Sequence, residues 1–431
     1  MTNKQNDNPD VTTDTSETEH LISISNKECI KLEGERSKVK LDDKTIHDDI
    51  DDYFFVKSHK RKKVYKKDSS VPMELENYPI LKSNRSSSKK HKKHKKKRMK
   101  LWKKTLIGFF STLLALIVVT IGTFAFLIYK GSKEMLDYDV TITAPETVQT
   151  QDQGEYVVYN GKTYQLNENI TNILFMGIDK RDLDEENPMG TGGQADVIVL
   201  MAVDTQTGKI TMINISRDIM TDVTVYSANG GYVGTEVQQL CLSYAYGDGK
   251  ETSCDNTVSS VRKLFYNIPI NSYIALDLDG IAAVNDSVGG VDVVSPETVS
   301  DFVEGESYHL EGQYAEKFVR SRNYSLVDTN NLRMERQQVY AEAFMQKVIS
   351  QTKQSISTPV DLFNASSPYT CTNLNPSKIC YLAETAVTSD GMLVEMTSVP
   401  GEITLNGEHA EFYVNEDSFY EMFLSIFYNE V

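Results

Sequence analysis

One stretch of the chain breaks the mixing of apolar and polar positions found elsewhere: residues 105–129, TLIGFFSTLLALIVVTIGTFAFLIY, carry no charge. At ~1.5 Å per residue, a helix of that length reaches across the ~30 Å apolar core of a bilayer. The pattern therefore predicts a transmembrane helix over 105–129, too deep in the chain and too long for a cleaved signal peptide. Residues 1–104 ahead of it are polar and charge-rich, with few large apolar residues in succession, and predict a disordered tail.

Beyond the span, residues 130–168 are polar and Thr-rich and predict a stalk leading to short strands, with Asn160-Gly161 as a tight turn. From about residue 172, short apolar runs alternate with turn signals. NILFMGID (172–179) has the profile of a buried strand. Residues 197–204 and 209–216 are two more apolar runs joined by the turn 205–208, hence a hairpin. Helical spacing appears over 256–266, 311–320 and 332–352. Asp279 is placed to cap a helix that Gly289 and Gly290 end, ahead of the strand VDVV. Strands over 401–414 and an amphipathic helix over 419–428 close the chain. The expected fold for residues 169–431 is α/β, a mixed central β-sheet with helices on both faces.

Charge gives the span a direction. Residues 89–104 hold eleven Lys or Arg and no acid, whereas the opposite flank has only Lys130 and Lys133 before Glu134 and Asp137. The positive-inside rule then places the tail in the cytoplasm and the larger domain outside the cell. The same tract suits anionic membrane lipid, and this makes nucleic acid the weaker partner for it. Cys29 lies in the tail; outside, Cys241 and Cys254 form one close pair in sequence and Cys371 and Cys380 another. In an oxidising exterior these predict two disulfides, Cys241 with Cys254 and Cys371 with Cys380.

From Lys130 onward the chain has 18 Lys and Arg against 44 Asp and Glu, a net charge of −26. Only seven of those cations are arginine, and five of the seven are Arg217, Arg320, Arg322, Arg333 and Arg336. Guanidinium grips phosphate or carboxylate with two parallel bonds, so arginines gathered in an acidic domain point to a multivalent anion. Arg333, Arg336, Gln337 and Tyr340 share one face of their helix. Asp179 ends one strand and Asp196 begins the next, a pair of hard oxygen ligands suited to Mg²⁺. A divalent ion with converging arginines is the apparatus for a diphosphate. A serine triad or a zincin is poorly supported, because only His309 and His409 lie outside and neither G-x-S-x-G nor H-E-x-x-H occurs.

NILFMGIDKR, AD at a strand start, SRD, LSYAYGDG, VNDSVGGVDV and RSRNYSLVDTNNLRMERQQ occur in that order between about residues 172 and 350. Together they resemble the LytR-CpsA-Psr family of bacterial membrane-anchored proteins. The resemblance implies a Mg²⁺-assisted ligase that moves an anionic glycopolymer, a teichoic acid or capsular polysaccharide, from a polyprenyl-pyrophosphate carrier to a hydroxyl of peptidoglycan. It implies metal on Asp179 and Asp196, and diphosphate on Arg217, Arg320, Arg322 and Arg333, with Arg336 and Gln337 completing R-x-x-R-Q. The carrier's apolar chain would lie between sheet and helices, and Asp218 or Asp328 would take the proton. Four positions depart from the family's usual residues: Ala195, Ser216, Gln239 and Asn330. Two rival readings share the anion site: a protein that binds lipid-linked polymer without transferring it, and a pyrophosphatase that uses water as acceptor.

Overall fold

The structure is a computed structural model describing residues 100–138, 141–183, 191–227, 229–322, 329–389, 393–406 and 409–431. Residues 1–99, with Cys29 and most of the basic tract, and Asp328 lie outside the described residues.

Helix α1 (Leu101–Met135) is 35 residues long, and its membrane-length portion is apolar and exposed. At ~1.5 Å per residue it measures ~50 Å, well beyond what a bilayer core needs. Its last turns pack into the domain instead: Met135 is fully buried, and Met135 O accepts hydrogen bonds from Thr171 Oγ1 and Asn271 Nδ2 at 2.9 and 3.0 Å. Strands β1 (Gln149–Gln151), β2 (Tyr156–Tyr159) and β3 (Lys162–Leu166) follow, and Ile142 and Val157 enter the core. The segment expected to be a stalk is thus folded into the domain, because its few apolar side chains find partners far along the chain.

The central sheet begins with β4 (Ile170–Ile178), β5 (Ala195–Asp204) and β6 (Ile210–Ile215), antiparallel neighbours that include the expected hairpin. These strands are apolar on both faces. Leu174, Met176, Ile198, Leu200 and Ile213 point to one side, and Val199, Val203, Ile210 and Met212 to the other. The two-residue side-chain period of a strand therefore fills two cores at once.

A second hairpin, β7 (Met220–Tyr226) and β8 (Tyr232–Gln239), leads to α2 (Leu242–Ala245) and α3 (Glu251–Leu264). Then come β9 (Ser272–Leu276), parallel to β4, and α4 (Gly280–Ser287). The hairpin β10 (Val291–Val294) and β11 (Ser307–Leu310), α5 (Gln313–Arg320) and α6 (Thr329–Gln354) form a lobe with its own apolar cluster around Phe302 and Phe318. After α7 (Thr358–Ser366), β12 (Thr370–Thr372) pairs with β9; after α8 (Pro376–Thr388), β13 (Val394–Ser398) pairs in parallel with β6. The central order is β12-β9-β4-β5-β6-β13, a mixed sheet as expected. A last hairpin, β14 (Gly401–Asn406) and β15 (His409–Val414), precedes α9 (Glu416–Phe427) and β16 (Tyr428–Glu430), and β16 pairs with β3. Helix α9 lays Phe419, Phe423 and Phe427 on one face of the sheet, while α6 covers the other with Ile349.

Candidate active site at one edge of the sheet

Strand pairing gathers the acids. Ile178 of β4 lies opposite Ala195 of β5 beside a bulge, so Asp179 and Asp196 fall at the same end of adjacent strands. Ile198 pairs with Ile215, and continuing that register puts Arg217 opposite Asp196. The Arg217 guanidinium bonds to the Asp196 carboxylate through Nη1, to Gln194 Oε1 at 3.1 Å through Nη2, and to Asp218 Oδ1 at 3.4 Å through Nε.

Gln194 joins Asp179 to this group. Its backbone N–H donates to Asp179 Oδ1 at 2.6 Å, and its carbonyl accepts from Asp179 N at 3.2 Å. The glycines before it are needed for the approach: Gly193 has φ +91°, and a Cβ there would sit 2.8 Å from Asp179 Oδ1. Gln194 was not singled out in the sequence, yet it precedes Asp196 by two positions, and the strand period puts both side chains on one face.

Asp218 is mostly buried and accepts from both Arg217 and Gln239 Nε2, the latter at 3.3 Å. Gln239 also donates to Ala410 O at 2.6 Å. Both donors reach the same carboxylate oxygen, so Asp218 links Arg217 to Gln239.

The remaining arginines divide. Gln338 Nε2 donates to Ser398 Oγ at 3.1 Å, and Ser398 pairs with Asn214 near the end of β6. The first turns of α6, carrying buried Arg333, therefore lie at the same sheet edge as Arg217. Arg320 ends α5 and donates to Glu316 at 2.5 Å; Arg181 reaches the same carboxylate at 2.9 Å, and Arg322 stands two residues past the helix. Arg181, Lys317 and Arg320 line a cleft of about 600 Å³ with Gln313 and Tyr314.

Arg336, expected on the diphosphate, has a different place. It is 1% exposed; its Nε donates to Phe318 O at 2.8 Å, its Nη1 pairs with Glu297 and its Nη2 bonds to Ser321 O. Burial lowers its pKa to about 10. Gln337 donates to Val319 O at 3.2 Å, so both side chains of R-x-x-R-Q tie α6 to α5. The physical reason is that the buried Arg336 guanidinium finds backbone carbonyls at the end of α5, Phe318 O and Ser321 O, within its reach from α6. The cysteine pairings differ too. Cys241 lies beside Arg217 and Asp218, Cys254 lies against Cys371, and the four described cysteines are thiols.

Asp179 and Asp196 fit a hard divalent cation in number and kind: Mg²⁺ takes one or two carboxylates and completes its shell with water and substrate oxygens. Each uses its Oδ1 within the protein, Asp179 on Gln194 and Asp196 on Arg217. Among the described residues no cluster of three or more His, Cys, Asp or Glu side chains offers a closed metal cage.

The fold and this edge define a class: an α/β domain tied to an apolar membrane-length helix, with paired acids and arginines at one end of a mixed sheet. The sequence profile of the LytR_cpsA_psr family matches residues 126–424, and the chain belongs to that family. It is 27% identical over 252 residues to the polyisoprenyl-teichoic acid–peptidoglycan teichoic acid transferase TagU of Enterococcus faecalis (strain ATCC 700802 / V583), covering 58% of this chain and 72% of that one. It is 26% identical over 216 residues to the corresponding transferase TagV of Bacillus subtilis (strain 168), covering 48% and 51%. The crystal structure of B. subtilis TagV superposes with a TM-score of 0.44 at 21% identity, over 61% of this chain and 97% of that one.

Proposed function

We infer that the protein transfers a teichoic-acid-type glycopolymer from a polyisoprenyl diphosphate carrier to peptidoglycan at the outer face of the membrane. The observation that carries this reading is Arg217, held by Asp196, Gln194 and Asp218 at the edge where Asp179 also ends its strand, in a chain of this family. The exterior placement rests on the basic residues ahead of α1.

In the proposed reaction a peptidoglycan sugar hydroxyl attacks the phosphorus nearer the polymer. A new O–P bond forms, the bridging P–O bond breaks, and polyisoprenyl phosphate leaves with the electron pair. Arg217 and Arg333 hold the diphosphate at the sheet edge, and Arg320 and Arg322 meet it or the polymer's first charged unit from the end of α5. A guanidinium aimed at an oxygen where charge develops lowers the barrier because it is already oriented before reaction. Asp179 and Asp196 would hold Mg²⁺, whose chemistry is to neutralise the diphosphate oxygens. Asp218, which also bonds to Arg217, or Asp328, outside the described residues, takes the hydroxyl proton.

The half-buried side chains Phe175, Val197, Met201, Met345 and Met396, between the sheet and α6, suit the isoprenoid chain. Methionines adapt to a flexible apolar guest without a fixed shape.

The test uses the full chain in lipid vesicles with labelled polyisoprenyl-diphosphate teichoic acid, peptidoglycan and Mg²⁺. Label joined covalently to peptidoglycan, lost on chelation and restored by Mg²⁺, is expected. Label that is bound but never transferred, or inorganic phosphate released by water, overturns it in favour of a carrier-binding protein or a pyrophosphatase. Transfer of a capsular polysaccharide in place of teichoic acid overturns the choice of polymer.

A further inference from the structure

Cys254 is fully buried on α3, and Cys371 is the middle residue of β12, paired with Ala275 at the outer edge of the central sheet. Helix α3 packs against β12 and β9, and this puts Cys254 and Cys371 in one apolar cluster although they are distant in sequence. Cys371 opens onto a cleft of about 240 Å³ lined by Asp248, Lys250, Glu251 and Thr370, while Cys254 lies behind it. The pair bounds the part of the chain that builds the lobe of β10, β11, α5 and α6, the lobe that carries Arg320 and Arg333.

We propose that Cys254 and Cys371 close into a disulfide that staples α3 to β12 and fixes both ends of the arginine-bearing lobe to the central sheet. The reaction is an exchange with a disulfide donor reaching the cleft. The Cys371 thiolate attacks one donor sulfur, forms a mixed disulfide and releases one thiol. Cys254 then loses its proton, attacks the Cys371 sulfur and releases the second thiol. The two cysteines are oxidised by two electrons, and the donor is reduced to two thiols by the same two electrons and the two protons. The order follows from access and charge. The neighbouring Cys254 thiol holds the Cys371 thiol below its usual pKa with help from Lys250, against the opposing pull of burial, Glu251 and Asp248. The same contact together with burial pushes Cys254 up. The half-buried, cleft-facing thiol attacks first and the fully buried one resolves. Cross-linking distant residues removes freedom from the unfolded chain, so the oxidised form is the more heat-resistant.

The full chain in detergent micelles is treated with oxidised glutathione, alkylated under denaturing conditions and digested without reduction. The expected result is one linked peptide pair joining Cys254 to Cys371, with Cys241 and Cys380 alkylated. Oxidation should raise Tm by several degrees, and the gain should vanish in Cys371→Ser and persist in Cys380→Ser. Peptides linking Cys241 to Cys254 or Cys371 to Cys380, no linked peptide at all, or a Tm gain that survives Cys371→Ser each overturn the proposal. The mapping needs no variant, so it decides the matter even where a substitution impairs folding.

Discussion

Arg217 meets three acceptors through a planar fork, a geometry that a lysine ammonium cannot reproduce. Arg217→Lys should keep the charge and the fold but lower transfer by about 10²-fold, the scale for loss of one oriented donor. Steady-state transfer at saturating carrier, beside an unchanged melting curve, checks this; wild-type turnover would remove Arg217 from the proposed chemistry. Asp277 concerns stability. It is 2% exposed at the end of β9, caps α4 through Gly280 N at 2.7 Å, and burial raises its pKa to about 6. A carboxyl raised in the folded state favours folding while protonated. That contribution is complete below its ordinary value near ~4 and is lost as pH rises through about 6. Asp277→Asn keeps a capping oxygen and has no charge to bury, so thermal unfolding should show a raised Tm at pH 7 and a flatter dependence between pH 4 and 6. An unchanged pH profile would show that another group governs it. The acids and Arg217 were legible in the sequence because each sits where an apolar run stops. Gln194 was not, and Gln239 stood out only as a departure from the family's residues, since the part each plays is set by which neighbouring strand it faces.

At the scale of elements, the fully apolar runs of β4, β5 and β6 could be read directly, and so could the long helix α6. Hairpin β7–β8 could not: one residue of β7 and none of β8 is buried, so its sequence carries no strong alternation. Strand β13 was missed for a related reason, as only Val394 is buried and the pairing with β6 depends on a distant partner. The ties of α6 to α5 and to the segment after β10 were equally hidden, because Arg336 meets Phe318 from 18 residues away and Glu297 from 39. Removing one member of a buried ion pair strands the other charge. Arg336→Met should therefore cost ~3–5 kcal/mol in urea unfolding. Adding Glu297→Leu should recover much of that loss, and a double variant no more stable than the single one would contradict the pairing.

For the whole molecule, the apolar, membrane-length helix α1 is also a structural member of the domain. Gly131 is pressed on α8 so closely that a Cβ would lie 2.1 Å from Ser377 O, and Asn375 Nδ2 donates to Glu134 Oε2 at 2.8 Å just beyond. Gly131→Leu should lever α1 off the domain. Limited proteolysis of the full chain in vesicles should then cut within 136–141 at least tenfold faster, with the sheet's own fragments still protected. Unchanged protection there would mean that α1 is not clamped at this glycine. At the opposite end, β16 completes the sheet begun by β1, β2 and β3, and Tyr428 OH donates to Gly154 O at 2.6 Å across 274 residues. Synthesis delivers the N-terminal side first. The early strands must therefore wait, unfinished, until β16 has emerged, which makes the time before that strand arrives the stage at which this protein is most open to proteases and chaperones.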